Sequence, residues 1–598
     1  LWIFLLSMLA ACSRGEEATK TAAPLAESAQ QEKSQQPASR QPAGRPLAER
    51  VPASSVVYIE LNGLTGSIEA LLDSPMAKEI EAHPLIAHLK QTPQVKSANF
   101  YLEVLKDSTG HDLASLARAL GSKQIAFSIH PPKPGAKQPT FLLLARVDEE
   151  GMRRFLNGIP VMISMAPQPV APASDTAPAV LAYGPKKGVV FFQDADLLAI
   201  SSDVALALAA RDEPDAALAD TPRYTQALEH VPAGRLGFAV IDVKTIRTFA
   251  KDPMEAGDFG QALLLGTLPR SAYNAPWAVV TLGLEKQGGV WRLSLAGRVP
   301  RAKDTPEPME KSFGGRLGPL PFRLPQNTVG VIRMRRDFEA VWSNRDDLLP
   351  ESAIPGLVQF EGIFTTVTGG MSFVEEFLPA FGKEITIVAT RATYEEGQAP
   401  QVRYPHVALV GRLDKSDELA PRLAIAFQTA IGITNADRAQ KGEKTFLVAP
   451  VVYKNVTIQS ARYLPPSKME MMGSDGMPAR FNVAPSLAVV DDHIVFASAL
   501  DIVKQIIDGM GKPENRLSGM NAALWINGPE LRALGMENRE NLIAQAMIKE
   551  GKDRAEAENK TDLLLDLSRY AREFTITLDE DDSMQGLTLE LVLGAEGE

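Results

Sequence analysis

The chain holds one cysteine in 598 residues, Cys12. A lone thiol excludes an intramolecular disulfide, so the folded body must be held by core burial. Histidine is nearly as scarce, and of the seven, at 83, 88, 111, 130, 230, 406 and 493, only His83 and His88 stand close together. A helical zinc pair needs histidines at i and i+4 with a carboxylate beside them, whereas Pro84 separates these two at a spacing of five. They read as surface residues at a helix start. The chain also lacks a Gly-x-Ser-x-Gly turn, a Gly-x-x-x-x-Gly-Lys-Ser/Thr loop and a Gly-x-Gly-x-x-Gly after a strand. "QKGEKT" at 440–445 has lysine and threonine without the glycine loop that cradles phosphate. After the first dozen residues no apolar run approaches the roughly 20 residues that span a bilayer. Positive charge is in deficit, 62 Lys and Arg against 73 Asp and Glu, and it is not clustered. Nucleic acid is thereby disfavoured as a partner, and the body is kept off anionic lipid.

What is present begins at the first residue. Leu1–Ala11 is almost wholly apolar yet too short to span a membrane, and reads as the hydrophobic part of a secretory signal (1–11) whose basic leader stood before Leu1. Leu9-Ala10-Ala11-Cys12 resembles the lipobox of bacterial lipoproteins. That resemblance implies cleavage before Cys12, diacylation of its sulfur and a palmitate-type anchor. Two acyl chains, at about 0.8 kcal/mol per buried methylene, hold a protein durably where one does not. Ser13, rather than Asp, after the cysteine favours the outer membrane by the same resemblance. The remainder of 12–50 is rich in Ala, Gln, Ser, Pro and charge, with few large apolar side chains. Such a segment cannot offset its ordering entropy by burial and is expected to be a disordered tether, spreading over roughly 35 Å as a flexible coil.

The rest of the chain repeats itself. Val51-Pro52-Ala53-Ser54-Ser55 matches Leu324-Pro325-Gln326-Asn327-Thr328, each a proline-led turn before an apolar strand. Leu120-Gly121 and Phe381-Gly382 read as helix ends with glycine at the C-cap. "FLLLARVD" (141–148) pairs with "VALVGRLD" (407–414), continuous apolar strands ending in Arg-x-Asp. "GVVFFQDADLLAISS" matches "SLAVVDDHIVFASA", two strands about an acidic turn, each followed by a helix. "FAVIDVKTIRTF" matches "LWINGPELRAL", with Asp242 and Asn527 as N-cap candidates, and each series closes on a hairpin. The spacing predicts an α+β protein of two tandem copies, each a mainly antiparallel sheet packed with helices, at 51–300 and 324–598 with a linker at 301–323. This order is similar to that of an uncharacterised family of bacterial envelope proteins, known as a domain of unknown function, whose members open on a Leu-Pro-Ala-Asp-Thr-like turn. "VPASSVVYIEL" (51–61) carries the resemblance, departing at Ser54 and Ser55. It implies an envelope location and brings no catalytic residues.

Two clusters stand out as ligand candidates. Met469, Met471, Met472 and Met477 lie within nine residues, and thioethers suit Cu(I), although the segment reads equally as a long loop. Four acids in "LDEDDSM" (578–584) offer oxygens for Ca²⁺ but lack alternating ligand spacing, which suits a solvated turn. Arg146/Asp148 and Arg412/Asp414 are expected to form local ion pairs and cap the next helix. No catalytic, cofactor or metal site emerges. The expected function is a lipid-anchored, periplasm-facing envelope protein, held to the membrane through acylated Cys12, that binds another envelope protein or an apolar ligand. Two alternatives stay open: a lipid or apolar-ligand carrier or chaperone, and a hydrolase whose Ser, His or carboxylates meet only in the fold.

Overall fold

The computed structural model describes residues 46–83, 123–133, 138–147, 168–174, 177–183, 189–248, 268–301, 312–348, 354–394, 399–465, 477–581 and 583–594, with isolated positions at 86, 103, 106, 107 and 265. The signal, Cys12 and nearly all of the tether lie outside the described residues. Two compact units are present, one made of 1–249 and 276–285, the other of 250–275 and 286–598.

In the first unit the chain forms β1 (Val57–Asn62), β2 (Gln124–His130), β3 (Thr140–Arg146), β4 (Gln168–Ala171), β5 (Val180–Tyr183), β6 (Val189–Asp194), β7 (Leu197–Ser201), β8 (Gly237–Ile241) and β9 (Ala278–Gln287). They order as β9-β8-β1-β2-β3-β7-β6-β5-β4, every pair antiparallel. The second unit contains β10 (Val290–Pro300), β11 (Leu320–Phe322), β12 (Thr328–Arg335), β13 (Phe381–Thr390), β14 (His406–Leu413), β15 (Leu447–Val448), β16 (Val451–Tyr453) and β17 (Val456–Arg462). It continues with β18 (Ser486–Val490), β19 (His493–Ala497), β20 (Met510–Glu514), β21 (Ala522–Asn527), β22 (Ala571–Glu580) and β23 (Met584–Leu593). Its order is β10-β23-β22-β21-β12-β13-β14-β19-β18-β17, again antiparallel, with β15 and β16 on the far side of β17 and β11 paired to β20. Set side by side, β9-β8-β1-β2-β3-β7-β6 and β22-β21-β12-β13-β14-β19-β18 are one topology used twice. The protein is α+β in two tandem copies.

Local chemistry starts each copy in the same way. Proline fixes φ, and the turn closes when the Ser55 N–H donates to Pro52 O at 3.1 Å and the Thr328 N–H to Pro325 O at 3.2 Å. In the strand that follows, Ile59 or Ile332 faces one side of the sheet, while Tyr58 and Glu60, or Val331 and Arg333, face the other. One face of the second unit's sheet carries its core. There helix Leu500–Gly509 lays Ile502, Val503, Ile506 and Ile507 onto Val388, Val410 and Val495, all buried. Each such side chain contributes about 1.5–3 kcal/mol. Helix Val204–Asp212 holds the matching place in the first unit, where the Asp203 carboxylate accepts the Leu206 N–H at 3.2 Å as its N-cap.

Five expectations need correction. The end of the expected tether is folded: Leu47–Arg50 is a 3-10 helix with Leu47 and Ala48 buried, and Arg50 donates to Ala210 O (3.3 Å) and Arg211 O (2.9 Å). Residues 286–300 belong with the second unit, because β10 pairs with β23 from Trp291–Leu593 to Pro300–Met584. The described part of the expected linker, 312–323, is no spacer: Phe313, Leu317, Leu320 and Phe322 are buried in the second unit. Their backbone is tied down by long-range polar groups, with Asn521 Nδ2 donating to Phe313 O (2.6 Å) and Gly315 O (2.9 Å), and Arg333 Nη1 to Gly318 O (2.9 Å). Gly382 is not a helix cap but lies inside β13 at a register shift, where a Cβ would sit 2.8 Å from that of Arg412. Asp242 does cap its helix, accepting the Thr245 N–H, whereas Asn527 occupies the N-cap position without a side-chain bond.

Candidate functional site

In the second unit, apolar surface remains on the face of the sheet opposite helix Leu500–Gly509. Side chains in register across that face run Phe496, Leu409, Ile387 and Ile332 on β19, β14, β13 and β12. The row continues through Leu524, Ile576, Leu589 and Leu295 on β21, β22, β23 and β10. No polar residue interrupts it. Phe496 is 48 % and Leu295 41 % exposed, and the members between them are half-buried. Helix Ser416–Gln440 covers one corner of this face through Leu419, Leu423 and Phe427, which pack on Leu487 and Ile494. The first unit repeats the row: Ile200, Leu143, Phe127, Ile59, Ala239 and Val280 on β7, β3, β2, β1, β8 and β9. Sequence alone shows that these strands are greasy, but register decides that the residues form one line.

A second feature is polar. In the first unit His130, at the end of β2, is buried, and the Ser54 hydroxyl from the Pro52–Ser55 turn lies 3.0 Å from its Nδ1. Ser128 Oγ lies 3.1 Å from Nε2 and 3.3 Å from Leu142 O. A hydroxyl has one proton, so the arrangement that uses every donor has Ser54 donating to Nδ1, Nε2–H donating to Ser128 and Ser128 donating to Leu142 O. Burial holds the imidazole neutral, pushing its pKa down to about 4 against the opposing pull of Asp203. Arg223 fixes the turn from below, donating to Ala53 O and Ser55 O (2.6 Å each) and to Asp242 (2.5 Å). In the second unit the same turn and strand end carry Asn327 and Thr390, and the histidine moves to the facing position, since β13 pairs Thr390 with His406 as β2 pairs His130 with Thr140. His406 too is buried and its pKa lowered by burial, with Tyr394 edge-on at 6.2 Å.

The candidates named from sequence fare differently. Met469, Met471 and Met472 lie outside the described residues, as do Cys12, His88, His111 and Asp148. Met477 is half-buried and bridges Pro400, its N–H donating to Ala399 O at 3.1 Å. In the acidic turn Asp581 Oδ1 accepts the N–H groups of Ser583 and Met584 and the Ser583 hydroxyl, each at 2.8 Å, so that oxygen is engaged by the turn itself. Among the described residues no group of three or more His, Cys, Asp or Glu side chains is arranged to hold a metal ion. Arg412 pairs with Asp414 at 3.2 Å and Arg146 reaches Asp196 at 2.8 Å, the expected Arg146/Asp148 pairing lying outside the described residues, and the residue at the N-cap of helix Ser416–Gln440 is Lys415. Beside the β22–β23 turn a depression of about 220 Å³, counted to its open mouth, is lined by apolar Leu268, Phe313 and Leu578 and by polar Asn521, Glu580 and Gln585. No family model, curated protein or solved structure matches the chain.

Proposed function

We propose that the protein is a lipid-anchored protein of the bacterial envelope that binds acyl chains along the open apolar face of its sheets. The single observation that carries the ligand is the unbroken aliphatic and aromatic row from Phe496 to Leu295, which has no charged group to satisfy and suits a hydrocarbon chain lying across the strands. Leu9-Ala10-Ala11-Cys12 supports the anchor. The carrier reading is preferred over a scaffold because a half-exposed hydrocarbon surface of this extent gains by being covered.

Two measurements test it. Globomycin treatment of cells expressing the gene is expected to accumulate unprocessed precursor; normal processing removes the anchor. Phospholipid or fatty acid is expected in organic extracts of the purified protein, and the pair Leu295→Lys with Phe496→Lys, both at exposed positions, is expected to lower its content severalfold with an unchanged circular dichroism spectrum. Protein purified from membranes without bound lipid removes the ligand.

A further inference from the structure

The hydroxyl and imidazole at the Pro52–Ser55 turn have a geometry that a purely structural role does not require. We propose that Ser54 is a nucleophile for ester substrates, with His130 Nδ1 as its general base and Ser128 as the residue that positions the ring. Three observations carry this. Ser54 is exposed on a turn held at both flanking carbonyls by Arg223, so its hydroxyl is accessible yet fixed. Its Oγ sits 3.0 Å from Nδ1, within proton-transfer reach, and in the tautomer that uses every donor this nitrogen carries the lone pair while the other is held by Ser128, which is the nucleophile–base–orienter order of acyl-transfer sites with a hydroxyl in place of the usual carboxylate. The second unit shows that the turn needs none of this, because Asn327, in the place of Ser54, ties the same turn to the end of β13 by donating to Arg391 O.

In the reaction, Ser54 Oγ bonds to the acyl carbon as its proton passes to Nδ1. Collapse of the tetrahedral adduct breaks the ester C–O bond, and the departing alkoxide takes that proton and leaves as an alcohol. Water then attacks the acyl-serine, gives its proton to Nδ1, and releases the acid as the proton returns to Ser54. The imidazolium formed in each half keeps its Nε2–H on Ser128. Neither step relies on the acyl-chain reading above.

The test is an alkyl fluorophosphonate, which bonds to a nucleophilic serine with loss of fluoride, applied to the full chain and read by peptide mass spectrometry. One adduct is expected on the peptide containing Ser54, absent in Ser54→Ala, whose exposed position leaves the fold intact. His130→Gln is expected to abolish labelling and Ser128→Ala to slow it by about tenfold. Because the ring stays neutral in acid, the labelling rate is expected to hold down to about pH 5. No adduct at Ser54, labelling as fast in urea-unfolded chain, or a rate that falls through about pH 6.5 as for a free imidazole overturns the proposal.

Discussion

Glu60 and Arg333 stand eight residues after the prolines that open the two copies, and both are buried, at 6 % and 1 % exposure. One structural slot thus holds opposite charges, each with its own set of hydrogen-bond partners, although Arg333 Nε has none. Glu60 accepts from the Tyr58 hydroxyl (2.5 Å) and Asn62 (3.2 Å), while Arg333 donates to Gly318 O, to Leu517 O at 3.2 Å and to Glu384 at 3.3 Å. Burial, and then the Glu60 charge, push the Tyr58 hydroxyl well above its ordinary range, so it remains a donor. Glu60→Leu removes that acceptor, and equilibrium denaturation is expected to show a loss of about 2–3 kcal/mol in the first unit. His130 gives a pH dependence of known sign. The folded state keeps it neutral down to about 4, whereas in the unfolded chain it protonates near its ordinary value of 6.5. Between those values the unfolded state binds a proton that the folded state does not, so this contribution is intact above about 6.5 and is lost as pH falls toward 4. Urea titrations at neutral pH and in acid should show His130→Thr losing less stability on acidification than the parent, by on the order of 3 kcal/mol.

At the scale of elements, both sheets end on edge strands that proline interrupts. Pro169 lies in β4, and Pro450 separates β15 from β16, so neither edge offers a continuous ladder to another chain. Asn521 joins 312–318 to the strand that precedes helix Gly528–Glu537, for its carbonyl oxygen also accepts from buried Arg336 at 2.7 Å. Burial lowers the Arg336 pKa to about 10, leaving it charged at neutral pH, and its Nη1 also donates to Arg335 O at 2.6 Å. Asn521→Ala is expected to cost about 3 kcal/mol and to expose 312–318 to limited proteolysis. Two glycines in the second unit show opposite limits. Gly432, inside helix Ser416–Gln440, has open space where a Cβ would go, and Gly432→Ala is expected to raise stability by about 0.5–1 kcal/mol. A Cβ on Gly528 would run into the Ala571 carbonyl, so Gly528→Ala is expected to lower the melting temperature of the second unit.

At the scale of the molecule, the open apolar row makes a quantitative demand on its ligand. If acyl chains lie across the strands, each added methylene buried contributes about 0.8 kcal/mol, and affinity in a fatty-acid series measured by displacement of a fluorescent acyl probe should rise by about fourfold per methylene until the row is filled. An affinity independent of chain length argues against the face as the binding surface. Net charge of −11 leaves long-range steering toward anionic lipid unfavourable, so delivery to the membrane rests on the anchor proposed at Cys12.

Much of this architecture is local, which is why it is legible. The proline-led turns, the apolar strands, the acidic hairpin turns and the Asp242 cap are set by residues within a few positions of one another, and their repetition in the same order announced two copies of one α+β plan. Tertiary structure alone decided the rest, because it depends on register and on partners far apart in the chain. Ser54 meets His130 across 76 positions, 312–322 joins the second core through groups some two hundred residues away, and β10 finds β23 nearly three hundred residues on. A row of side chains across eight strands exists only once every strand is in register, since a slip of one residue would turn its members to the other face.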